Sequence, residues 1–67
     1  MKNNIRVIRA RQRISQEELA IKAGISRPAL SNIENEKANP NGTTIKNISK
    51  ALGMAAGDIF FDLGGIN

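Results

Sequence analysis

Residues 16–35, QEELAIKAGISRPALSNIEN, constrain the fold more tightly than any other part of this chain. Two short helix-forming stretches flank Gly24, and glycine takes the left-handed conformation that ends a helix without a steric penalty. With so short a connection the two helices must touch. Leu19, Ala20 and Ala23 share one face of the first, while Leu30 and Ile33 share one face of the second. Ala20 is small enough for another helix to cross close above it, and Ile25 can plug the turn into a core. Arg27, Pro28, Ser31 and Asn32 are left on the outer side of the second helix.

The boundaries of this unit are signalled locally. Ser15-Gln16-Glu17-Glu18 matches a capping box, in which the Ser15 hydroxyl accepts from the Glu18 N–H and the Glu18 carboxylate reaches back to the Ser15 N–H. Ile14 and Leu19 are spaced for the hydrophobic staple, and the two acids complement the positive end of the helix dipole. At the next start two caps are open. Ser26 qualifies by its side chain. Arg27 qualifies because a residue before proline resists the α region, which would make Pro28 the first helical residue. Asn35 is expected to end that helix in the left-handed conformation.

The flanks continue the helical pattern. Residues 4–13 read as a first helix with Ile5 and Ile8 inward. Arg6 and Arg11 read as solvated, whereas Arg9 follows a core position and suits an ion pair. Residues 1–4 are polar and expected to fray. Residues 36–42 are rich in turn formers and include Pro40. Asn41 can then cap a fourth helix with Ile45, Ile48, Ala51 and Leu52 inward and Lys46 and Lys50 outward. Gly53 and Met54 are placed to end it in a Schellman motif. Residues 56–61 read as a short fifth helix turning Ala56, Ile59 and Phe60 inward, and residues 62–67 as a loose tail. The expectation is an all-α fold, one domain over residues 1–67 with its core in 4–61.

Composition narrows what such a domain can do. A chain of 67 residues has room for one small core, and with neither cysteine nor histidine it has no disulfide framework and none of the usual zinc or His- and Cys-based catalytic sets. No cofactor or metal and no enzymatic activity are expected. No apolar run is long enough to span a membrane and no signal peptide is apparent, so a cytoplasmic location is expected. Ten basic against six acidic residues give a net charge of +4, which favours a polyanionic partner. The two aromatic residues, Phe60 and Phe61, are adjacent, so they make no stacking platform for single strands.

Taken together, Ile5–Ile8–Arg9, Ser15-Gln16–Glu18-Leu19-Ala20, Gly24-Ile25-Ser26, Ile33-Glu34-Asn35 and Ala51-Leu52-Gly53 resemble the phage repressor and Cro-like helix-turn-helix family over nearly the whole chain. The resemblance implies a lambda-repressor-like, five-helix DNA-binding domain. The function implied is a transcriptional regulator, in the first place a repressor, acting as a homodimer on a palindromic double-stranded operator. It implies base contacts by Arg27, Pro28, Ser31 and Asn32. Phosphate contacts would come from Gln16, Asn35, Lys37, Asn39 and Thr43, and Arg9 with Glu34 would form a structural salt bridge. The chemistry of these residues agrees, since arginine can fork onto guanine and asparagine onto adenine. Phe61, Leu63 and Ile66 are left over at the C-terminal end, where they either cover the core or form a dimer seam. No small-molecule ligand is expected. Alternative readings are an antitoxin or restriction-modification controller of the same fold, or a protein-interaction module that has lost DNA binding. Three positions depart from the family pattern: Arg13 stands where relatives have glycine and is expected to adopt positive φ, while Glu36 after Asn35 and Gly42 before the fourth helix fall in the loop beyond the helix pair.

Overall fold

A computed structural model of the chain describes residues 1–61. It contains α1 (Ile5–Gln12), α2 (Gln16–Ala23), α3 (Arg27–Glu34), α4 (Gly42–Leu52) and a 3-10 turn over Ala56–Asp58. Three of the helices start on side chains that accept an N–H three residues on. Ser15 Oγ receives Glu18 at 3.0 Å, Ser26 Oγ receives Ala29 at 3.1 Å, and Asn41 Oδ1 receives Thr44 at 2.8 Å. Ser26 is therefore the cap of α3, with Arg27 and Pro28 in its first turn. A proline is harmless there because its missing N–H has no intrahelical partner to lose. The reciprocal arm of the expected capping box is absent, since the Glu18 carboxylate lies 3.7 Å from the Lys22 ammonium one turn further along.

All four helices end in the same way. An N–H two or three residues beyond each helix returns to the carbonyl five positions back, as in Ile14 to Arg9 (2.9 Å), Ile25 to Ala20 (3.0 Å), Lys37 to Asn32 (2.8 Å) and Met54 to Ser49 (3.1 Å). This is the Schellman pattern, and it requires a left-handed residue at the reversal. Gly24 and Gly53 supply it at φ 73 and 67, but the other two reversals fall on Arg13 at φ 58 and Glu36 at φ 63. Asn35 is thus not the left-handed residue expected of it. It stays at φ −88 and still donates to the Ser31 carbonyl at 2.9 Å, so the reversal moves on to Glu36. A side chain held at positive φ costs about 1–2 kcal/mol, part of which glycine gives back as backbone entropy. Arg13→Gly and Glu36→Gly should each raise stability by about 0.5–1 kcal/mol in urea denaturation.

The core joins Ile5 and Ile8 of α1, the Leu19–Ala20–Ala23 face of α2, Leu30 and Ile33 of α3, Ile48 and Leu52 of α4, and Ile59 and Phe60. The centre of the arrangement is α2, which packs on both α3 and α4. Two amides tie helix ends that would otherwise leave carbonyls unpaired. Gln12 Nε2 donates to the Leu52 carbonyl at 2.9 Å, and Asn47 Nδ2 to the Ala23 carbonyl at 3.3 Å.

The expected fifth helix is a single 3-10 turn, and the expected frayed start is tied down. Both corrections have one cause. The Asn4 N–H donates to the Ile59 carbonyl at 3.1 Å, the Phe61 N–H donates to the Lys2 carbonyl at 2.9 Å, and Asn3 faces Phe60 in an isolated antiparallel bridge. Backbone groups that would have continued a helix past Asp58 are used by the opposite end of the chain. Asn3 adds three side-chain bonds, receiving the Ile5 N–H at 3.1 Å and donating to the Ile33 carbonyl at 2.9 Å and the Met1 carbonyl at 3.4 Å. The closure seats Phe60 and Ile59 under the helices and leaves α3 with one face in the core and one in solvent.

Candidate nucleic-acid interface

Helix α3 sorts its residues cleanly. Leu30, Ile33 and Glu34 are buried, whereas Arg27, Pro28 and Asn32 are exposed and Ser31 is half-buried. The Ser26 cap and the Gly24 turn fix the end of the helix from which Arg27 and Pro28 project. The outward face therefore offers a guanidinium, a carboxamide, a hydroxyl and a proline ring on a rigid element.

Its inward end is held by charge. The Glu34 side chain is 0% exposed and the Arg9 side chain 14%. Arg9 grips the carboxylate with two bonds, Nε to Oε2 at 2.7 Å and Nη2 to Oε1 at 3.1 Å. Its third nitrogen, Nη1, donates to the Ile14 carbonyl at 3.1 Å. Gln16 Nε2, at the start of α2, donates to Glu34 Oε1 at 3.1 Å. One carboxylate thus locks α1, α2 and α3 together, and a bidentate, fully hydrogen-bonded pair is the geometry in which burying two charges is offset.

The loop after α3 folds back on the helix, because the Asn32 carbonyl receives both Lys37 and Ala38 N–H groups at 2.8 and 3.3 Å. The residues that follow the other three reversals, Ile14, Ile25 and Met54, pack on the core. Lys37 occupies the same position in its motif and is exposed, so this reversal presents a cation at the surface. Asn39 is exposed and its Oδ1 accepts from the Met1 amino group at 2.8 Å, while Thr43 is exposed in the first turn of α4. Of the candidate dimer seam, Phe61 is 56% exposed, and Leu63 and Ile66 lie outside the described residues.

Sequence reasoning missed one residue of this region. Arg6, read as solvated, reaches α3: its Nη2 donates to Asn35 Oδ1 at 2.7 Å and its Nε lies 3.8 Å from Glu34 Oε1. The signal was present, since Arg6 stands three residues before Arg9 and so shares its side of α1. Among the described residues no group of His, Cys, Asp or Glu could hold a metal ion, and no helix is long and apolar enough to cross a membrane.

A small all-helical domain that fixes one polar helix face outward beside a loop that presents an exposed lysine defines a class, the DNA-binding transcriptional regulators built on two crossed helices. This chain belongs to the helix-turn-helix family, whose model matches residues 5–59. It is 38% identical over 60 residues to an uncharacterized HTH-type transcriptional regulator of Methanocaldococcus jannaschii, covering 90% of this chain and 91% of that protein. It is also 38% identical over 50 residues to the immunity repressor protein of Bacillus phage phi105, covering 75% of this chain but only 35% of the repressor. Among solved structures, the DNA-binding domain of the P22 C2 repressor superposes with a TM-score of 0.78 at 33% identity, covering 94% of this chain and 84% of that one. The family is one of DNA-binding regulators and not a class of enzymes.

Proposed function

We propose that this protein is a repressor that binds a two-fold symmetric operator as a homodimer, with α3 in the major groove. The observation that carries this reading is the outward face of α3, where Arg27, Pro28 and Asn32 are exposed beside buried Leu30, Ile33 and Glu34. Arg27 and Asn32 contact base edges, Arg27 as a fork onto guanine O6 and N7 and Asn32 onto adenine. Pro28 packs against a thymine methyl, and Ser31 lies beside them. Gln16, Lys37, Asn39 and Thr43 face the sugar-phosphate chain, which sets register without reading sequence. Gln16 gives one N–H of its amide to Glu34, which braces the reading helix, and keeps the second N–H for a phosphate. The repressor role is supported by the names of the phage relatives, and two copies would place their reading helices about 34–36 Å apart along one side of the duplex.

Selection of duplexes from a random pool tests the reading. A palindromic motif is the expected result; a pool with no enrichment would mean that the fold serves protein contacts instead. Two variants separate the roles. Arg27→Ala should flatten one position of the motif, with a loss of discrimination worth about 1–3 kcal/mol. Lys37→Ala should weaken binding to every sequence and lower the slope of log K against log salt by about one phosphate contact. The dimer seam includes Phe61, Leu63 and Ile66; sedimentation of a chain cut after Phe60 checks this, and an unchanged dimer would move the seam elsewhere.

A further inference from the structure

Ser31 and Ser49 both sit inside helices, yet their hydroxyls are used differently. Ser49 Oγ donates back to the Ile45 carbonyl at 2.7 Å, the ordinary resting place of a helical serine. Among the described residues Ser31 donates no hydrogen bond. Its Oγ instead accepts from Asn35 Nδ2, one turn along, at 3.4 Å. The Asn35 amide is oriented in turn by Arg6, whose Nη2 donates to Asn35 Oδ1 at 2.7 Å. Flipping that amide would set its NH2 group against a guanidinium, donor against donor, so the direction of the chain is Arg6 to Asn35 to Ser31. A hydroxyl that accepts from a polarised amide becomes a better donor, and its proton has no partner among the described residues.

We propose that Arg6 and Asn35 set Ser31 as an outward hydrogen-bond donor that selects an acceptor-bearing base edge and disfavours cytosine at one operator position. The proposal rests on the DNA-reading role of α3 given above and refines it. Guanine presents N7 and O6, adenine N7 and thymine O4 in the major groove, whereas cytosine presents only an amino group, which a donor cannot use. Asn35, with both ends of its amide engaged inside the protein, then acts as a positioning residue rather than a phosphate contact. Arg6 positions it from α1.

The test is duplex selection with the full chain and its variants Ser31→Ala, Asn35→Leu, Arg6→Met and Ser31→Thr. The first three should lose about fivefold discrimination at the same single position, the scale of one neutral hydrogen bond, with the rest of the motif intact. Ser31→Thr, which keeps the hydroxyl, should retain the preference. The salt dependence of Asn35→Leu should match that of the unaltered protein. The assignment is overturned if Ser31→Ala weakens all sequences equally, or if Asn35→Leu leaves the motif intact while lowering affinity with a shallower salt slope. Should Asn35→Leu not fold, Arg6→Met at a 65% exposed side chain decides the matter by the same readout. If the unaltered protein enriches no motif, the proposed function itself fails, and this assignment with it.

Discussion

Phe60→Ala is expected to abolish most of the stability of this domain. The Phe60 ring is buried in the core just beyond the 3-10 turn, and truncating a buried phenylalanine costs about 3–5 kcal/mol. A single core in a chain of this size rarely supplies more than about 3–5 kcal/mol, so the loss consumes nearly all of it. Circular dichroism should show a transition lowered by about 20 °C, or no cooperative transition at all. The neighbouring Phe61→Ala, at a largely exposed position, should move the midpoint by less than about 0.5 kcal/mol in dilute protein. A Phe60→Ala variant that melted within a few degrees of the parent would mean that the closing segment is not part of the core.

Glu34→Ala should rank second. It leaves the Arg9 guanidinium nearly buried with its two carboxylate bonds broken, and it removes the acceptor of Gln16. Breaking one side of a buried pair costs about 3 kcal/mol, mostly as the penalty of the charge left behind. Arg9→Ala should cost a similar amount, since it strands a carboxylate that is wholly inaccessible. The double variant should therefore be less destabilised than the sum of the two, by at least about 1 kcal/mol in a urea-denaturation cycle. Strict additivity would show that the pair is only a contact of convenience. The expected operator affinity of Glu34→Ala also falls, because the same carboxylate sets α3 against α1 and α2.

The helix pair was legible because its signals act over a few residues. Ser15, Ser26 and Asn41 each cap an N–H three positions ahead, and Gly24 and Gly53 each end the helix beside them. The outward face of α3 follows from the same periodicity that places Leu30 and Ile33 inward. Asn35 shows where such reasoning stops. Its propensity for the left-handed region is real, yet the structure spends its side chain on Arg6 and Ser31 and passes the reversal to Glu36. Composition alone would not have chosen a glutamate for that conformation.

What the sequence by itself determined is α1 to α4, the caps at Ser15 and Asn41 and the division of α3 into a buried and an outward face, because each depends on neighbours within one or two turns. Only the tertiary structure decided how the two chain ends close over Phe60, why residues 56–61 are not a fifth helix, and which side chains converge on Glu34. Asn3 reaches the Ile33 carbonyl across thirty residues and Arg6 reaches Asn35 across twenty-nine. Contacts of that span form only where packing has already brought the elements together, and no local pattern of residues encodes them.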